Sequence, residues 1–297
     1  MRQDKINDYH LTGSIHTLAI KSDGYIDNPM ETVTECITVN SRETDGQAQS
    51  TTIINPNKLM GDLYSYDEFV TAMDTITAGM GISDYDVIRA DMRYDSFDSE
   101  HYRRFAKMHR YLISALAVTY SVRNAYKSNN LFSGEQVSVA IKNRYFEAEN
   151  YDKEWQSAGK DSAKSRLELR SKDGIEDIPT EFMTAWFRRL DKALSNLDQV
   201  QERYNQELIK LYLRDKGGRP CKFRTLTDFL IMYQDCIFTR RQLINLLSLI
   251  PGITPDQAAA KADNHKRRYG IEYFSQSDMV KAVAEIKRAT TAFFEGA

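Results

Sequence analysis

Three short segments of this 297-residue chain carry charged and phenolic side chains at spacings that suit work on a phosphodiester. The first is Val87-Ile88-Arg89-Ala90-Asp91-Met92-Arg93-Tyr94-Asp95. Read as a strand, its period of two puts Val87, Arg89, Asp91, Arg93 and Asp95 on one face, with Ile88, Ala90, Met92 and Tyr94 on the other. Four charges of alternating sign are costly to cover with an apolar core. They make sense on an open face, where carboxylates take Mg²⁺ or Mn²⁺ and arginines take phosphate oxygens. A solvated sheet face laced with cross-strand ion pairs is the competing reading.

The second segment, Arg166-Leu167-Glu168-Leu169-Arg170, alternates in the same way. If its strand neighbours the first, Glu168 shares a surface with Asp91 and Asp95. In the third, Tyr145-Phe146-Glu147-Ala148-Glu149-Asn150-Tyr151-Asp152-Lys153, alternation aligns Tyr145, Glu147, Glu149 and Tyr151. A phenol ionises near pH 10, so it needs cations or a metal beside it to act as a nucleophile at neutral pH. The chain has 17 tyrosines, and strands favour them, so packing is the competing role for any one.

The elements that must position these segments follow from periodicity. Residues 14–21, 33–39 and 51–54 have strand character, with a polar loop at 41–50. Residues 66–80 form an amphipathic helix and 99–125 a longer one. A hairpin rises over 136–142, turns at Asn143-Arg144 and returns over 145–151; 166–170 adds another strand. The first 175 residues are therefore expected to form an α+β domain with a mostly antiparallel sheet and helices on one side. Residues 176–216 read as a long connecting helix, then Gly217-Gly218-Arg219-Pro220 breaks the chain. Four short helices are expected near 225–234, 238–249, 255–268 and 276–294, making 217–297 a helical domain.

Charge is unevenly spread behind a net value of −2. Residues 1–100 hold 7 basic against 18 acidic side chains, while 101–172 hold 14 against 7. A phosphate-binding face in the middle of the chain fits that balance, as does an ordinary uneven surface. The three cysteines, Cys36, Cys221 and Cys236, are scattered, which argues against a cysteine zinc site or a disulfide framework. The polar start, Met1-Arg2-Gln3-Asp4-Lys5, and the lack of a long apolar run lead us to expect a cytoplasmic protein with no membrane segment. His16 is the lone histidine of its strand, and we read it as structural.

Taken in order, RADMRYD, VSVAIKNRYFEAENYDK and SRLELRSK resemble the Rep_trans group of rolling-circle initiators and conjugative relaxases of Gram-positive plasmids and integrative elements. The RLELR ending is also similar to filamentous-phage replication nickases. The resemblance spans about residues 85–172. It lacks the His-x-His pair of many related nickases and a glycine in the hairpin turn.

The resemblance implies a single-strand DNA endonuclease that nicks an origin, is left joined to the 5′ end and frees a 3′-OH. Tyr151 would be the nucleophile, with Lys153 beside it, and Tyr145 the next to test. Asp91, Asp95 and Glu168 would hold Mg²⁺ or Mn²⁺. Arg89 and Arg166, with Arg93 and Arg170 on the same strands, would contact the DNA. Origin DNA of a plasmid or mobile element is then the partner, host helicase and polymerase are implied, and a homodimer is possible. In the helical region, Arg240, Arg241, Lys266, Arg267 and Arg268 are candidate DNA contacts. A basic last turn also suits its own helix dipole. A non-catalytic origin-binding repressor on the same scaffold is the alternative function.

Overall fold

The computed structural model describes residues 10–26, 35–61, 64–98, 102–122, 138–159, 162–216, 225–271 and 273–296. It is an α+β protein. Its strands are β1 (Thr12–Asp23), β2 (Ile37–Thr44), β3 (Gln47–Ile54), β4 (Asp86–Ser96), β5 (Ser138–Lys142), β6 (Phe146–Asp152) and β7 (Ser165–Ile175). Among the described residues they form one antiparallel sheet in the order β2-β3-β1-β4-β7-β6-β5. The central three strands, β1, β4 and β7, are also the longest, with 12, 11 and 11 residues.

The expected loop at 41–50 is a hairpin instead. Asp45 and Gly46 both have positive φ, 54° and 78°, the pair of left-handed residues a two-residue type I′ turn requires. The hairpin from β5 to β6 forms without a turn glycine because the Asn143 side chain accepts from the backbone N–H groups of Tyr145 and Phe146, both at 2.8 Å. Ser128-Asn129-Asn130, Ser133-Gly134 and the break at Gly217-Gly218-Arg219-Pro220 lie outside the described residues, as do Cys221 and the first nine residues.

Helices pack on the sheet and on one another. They are α1 (Pro56–Met60), α2 (Tyr66–Gly79), α3 (Tyr102–Thr119), α4 (Lys153–Gln156), α5 (Ile178–Thr180), α6 (Phe187–Leu194), α7 (Leu197–Lys216), α8 (Leu226–Met232), α9 (Arg240–Ser248), α10 (Pro255–Tyr269) and α11 (Gln276–Glu295). Phe105, Met108, Leu112 and Leu116, spaced three or four apart, give α3 a buried stripe. The run expected as one long helix over 176–216 is divided. It passes through a π-helical turn at Glu181–Trp186 and breaks between α6 and α7. There the Asn196 side chain turns to the Thr119 hydroxyl at 2.8 Å.

The expected boundary near residue 217 does not separate two cores. The buried apolar cluster runs from the sheet through α7 to α11. Tyr94 of β4 meets Thr290 of α11 at 2.8 Å, and the Glu285 carboxylate accepts from the Leu11 N–H at 3.0 Å. A Cβ on Gly13 would stand 2.9 Å from the Ala289 carbonyl oxygen, so β1 and α11 touch through backbone. The sheet's inner face needs a cover, and the last helix supplies part of it. Tyr111 of α3, Gln201 of α7 and Thr239 at the start of α9 form a partly buried hydrogen-bonded chain with links of 2.7 and 2.8 Å. Among the described residues no helix is long and apolar enough to cross a membrane.

Candidate active site

Alternation gathers the three segments as expected. β4 pairs with β7 so that Asp91 faces Arg170, Arg93 faces Glu168 and Asp95 faces Arg166. β6 pairs with β7 so that Glu147 faces Arg170, Glu149 faces Glu168 and Tyr151 faces Arg166. Apolar partners, among them Ala90, Met92, Tyr94, Leu167 and Leu169, lie on the opposite face in the core.

Glu168 is the hub. Its Oε1 accepts the Tyr151 hydroxyl at 2.6 Å and stands 3.6 Å from His16 Nε2, while Oε2 takes Arg170. Arg170 also contacts Glu147, Glu149 at 2.9 Å and Asp91 at 3.6 Å, so four carboxylates converge on one guanidinium. Arg89 pairs with the same Asp91, and Lys172 takes Glu147 at 2.6 Å. Nearer α4, Arg166 grips Asp95 with two bonds of 2.5 and 2.8 Å, and its charge favours the ionised form of the Tyr151 hydroxyl. The Lys153 ammonium lies 5.8 Å from the Tyr151 ring centre and bonds Gln156.

The face is not the open one expected. Asp91, Asp95, Arg166 and Glu168 are 1–3% exposed and form a buried floor. Arg89, Glu147, Glu149 and His16 make a more accessible rim, with side chains 17–38% exposed. Arg93 is part of the floor, held by Ser14 at 2.8 Å and 3.5 Å from Asp95. Tyr151 is buried, but among charges rather than apolar groups. Tyr145, the other tyrosine of this strand's face, is 60% exposed at the turn.

Burial opposes ionisation across the floor, and the neighbours decide the outcome. Burial and then the Glu168 charge push the Tyr151 hydroxyl well above its ordinary value, against the pull of Arg166. Burial also pushes Glu168 up, but His16, Arg170 and the Tyr151 hydroxyl outweigh it and hold the carboxyl below the usual range. At Asp91 burial prevails over Arg89 and Arg170, and its carboxyl is raised. His16 is lowered, chiefly by burial, against the attraction of Glu168.

The expected metal set does not meet at a point. Asp91 and Asp95 share a face but lie four residues apart, which at roughly 3.3 Å per residue separates their Cα atoms by about 13 Å. Ligand oxygens about 2.1 Å from a Mg²⁺ cannot both come from that pair. Asp91 and Glu168 do approach each other, but Arg170 stands between them. Among the described residues no three His, Cys, Asp or Glu side chains are grouped to hold a metal ion. The donors are chemically suitable, but as arranged they do not fit one divalent ion.

His16 is the site residue that sequence reading set aside. The ladder between β1 and β4 slips by one between Ile15↔Met92 and Thr17↔Asp91, leaving His16 as the extra residue. Such a bulge re-aims a side chain, and here the imidazole reaches across β4 to Glu168. Asn57, at the start of α1, lies 3.3 Å from the other ring nitrogen. The expected DNA contacts of the helical region lie elsewhere, on α9 and α10. Arg240 pairs with Asp263 through bonds of 2.7 and 2.8 Å, and Arg241, Lys266, Arg267 and Arg268 are exposed. No protein-family model matches the chain, and no curated protein matches it.

Proposed function

We propose that the chain is a site-specific single-strand DNA endonuclease that starts rolling-circle replication of a plasmid or mobile element. A conjugative relaxase would use the same chemistry. One observation carries the reading: the Tyr151 hydroxyl donates to Glu168 Oε1 at 2.6 Å while the Arg166 charge favours the ionised form of the same oxygen. The carboxylate is a base placed to take the phenol's proton as it attacks, and an incoming phosphate with its counter-charges has to offset the burial and the Glu168 charge that hold that proton on.

In the proposed step Tyr151 Oη bonds to phosphorus as its proton passes to Glu168 Oε1. The bond from phosphorus to the 3′ oxygen breaks, and that oxygen takes a proton from water. The products are a 5′-phosphotyrosine and a free 3′-OH, which a host polymerase, with a helicase, would extend. Arg166 steadies the charge on the phenolic oxygen, and Arg170 keeps Glu168 ionised and turned toward it. Lys153 adds positive charge beside the ring.

The test uses the full chain and a supercoiled plasmid carrying its own coding region with flanks, in Mg²⁺, Mn²⁺ or chelator. The expected product is nicked circle bearing covalently bound protein. Tyr151→Phe should abolish the adduct. Equal nicking by both proteins removes Tyr151 from the role and turns attention to Tyr145. Equal nicking in chelator removes the Mg²⁺ or Mn²⁺ dependence that the resemblance implies.

A second reading has an observation of its own. The floor carboxylates are already neutralised by arginines and are shut from solvent, as in a structural ion-pair face. A non-catalytic origin-binding repressor would have that design. Tight DNA binding without any adduct would favour it.

A further inference from the structure

The face of α10 sorts its charges in a way that helix stability does not require. Ala258, Ala262 and His265 point into the core, and the other side of the helix is exposed. Advancing about 100° per residue, Arg267, Ala260, Asn264, Gln257, Arg268 and Lys261 fall within an arc of about 120°. That arc holds three cations, two amides and one methyl group, with no acid. The two acidic residues of the helix, Asp256 and Asp263, lie together to one side of it, and Asp263 is already neutralised by Arg240 of α9. A favourable helix dipole accounts for Lys266, Arg267 and Arg268 in the last turn. It accounts neither for Lys261 two turns earlier nor for the exclusion of acid from this one arc.

We propose that the arc formed by Ala260, Lys261, Asn264, Arg267 and Arg268 is a docking surface for duplex DNA, with α10 lying in the major groove. The inference rests on the DNA-directed reading above and names the part of the chain that recognises the duplex. Charge complementarity selects the occupant: three cations in an acid-free strip match a polyphosphate backbone. Of the uncharged side chains, Asn264 and Ala260 suit base edges, since an amide can pair with adenine and a methyl group packs against thymine. Arg267 bonds the Asn264 side-chain oxygen, which holds the amide in place on the surface. Gln257, inside the same arc, is committed to capping: its side-chain oxygen accepts from the Thr254 N–H at 3.0 Å. The Lys266 ammonium lies off the arc, 5.9 Å from the Tyr273 ring centre.

The experiment measures binding of the full chain to a pool of random-sequence DNA duplexes across a salt series, followed by sequencing of the retained duplexes. K261A/R267A/R268A should weaken binding roughly tenfold or more and flatten the salt dependence. Lys281→Ala removes one exposed charge on α11, outside the arc, and should change affinity less than about twofold. Asn264→Ala should leave the salt dependence alone but relax the sequences retained. Circular dichroism confirms that these exposed variants fold. Wild-type binding by the triple variant overturns the inference, as does a loss from Lys281→Ala as large as the triple's. Retention of the same sequences by Asn264→Ala overturns base reading by this arc. If adducts never form but the arc variants still lose duplex, the nicking reading falls and this one stands.

Discussion

Two bidentate arginine–carboxylate pairs of nearly the same geometry sit in very different places. Arg166 holds Asp95 at 2.5 and 2.8 Å on the floor of the sheet face, and Arg240 holds Asp263 at 2.7 and 2.8 Å on the exposed side of α9 and α10. The first pair is shut from water, and each member depends on the other for its charge to be tolerated. The second is bathed in solvent and screened. Identical hydrogen bonds therefore commit the first region to one rigid arrangement and leave the second free to exchange its partner for a phosphate.

The largest expected effect breaks the buried pair. Asp95→Ala strands the Arg166 guanidinium without water, which should cost about 3–5 kcal/mol in denaturant unfolding. Replacing both partners with methionine should recover much of that loss, because the desolvated charges leave together. If Asp95→Ala proves no worse than Arg240→Ala, the contrast between the two regions is wrong.

A second perturbation acts at the junction of the sheet with the last helix. Gly13→Ala drives a Cβ to 2.9 Å from the Ala289 carbonyl oxygen and 3.0 Å from Met92 Cε. Overpacking of this kind should cost about 1–3 kcal/mol. Separate unfolding transitions for the sheet and the C-terminal helices would sink the continuous core that makes Gly13 matter.

How much of this was legible beforehand depended on which physical rule was used. Period-two alternation placed Arg89, Asp91, Arg93, Asp95, Arg166, Glu168, Arg170, Glu147, Glu149 and Tyr151 on one surface, and that grouping holds. The same rule says nothing of distance along the strand, so Asp91 and Asp95 were joined in one metal set although strand rise keeps them apart. Burial was also hidden, because an open face and a self-neutralising one have the same pattern of charges. His16 was out of reach for a third reason: its contact with Glu168 spans three strands and depends on a bulge that no local signal announces. The four helices expected near 225–234, 238–249, 255–268 and 276–294 form, and each opens on a cap, with Thr225, Thr239, Thr254 and Ser275 each accepting from the residue three further on.

The floor should reveal its mixed electrostatics in acid. Glu168 and Glu147 have depressed carboxyl values, so their stabilisation is complete above the ordinary glutamate range and is lost as pH falls through the folded values. Asp91 is raised, so its ionised form costs stability at neutral pH, and protonation relieves that cost as pH falls toward its ordinary range. Urea midpoints measured between neutrality and about pH 3 should therefore fall less steeply in Glu168→Gln than in the wild type, and more steeply in Asp91→Asn. Parallel shifts in the two variants would show that the floor titrates as a surface does.

The smallest effect belongs to the exposed pair, and it separates stability from binding. Arg240→Ala should leave the thermal midpoint unchanged, since a solvent-exposed ion pair contributes little to folding. It also leaves Asp263 unneutralised beside the acid-free arc of α10, adding a negative charge where a phosphate backbone would run. Duplex binding should weaken, and the weakening should shrink as salt screens that charge. Asp263→Asn in the same background should restore it. A drop in thermal stability with binding intact would mean that Arg240 clamps α9 to α10, and that the exposed pair works after all like the buried one.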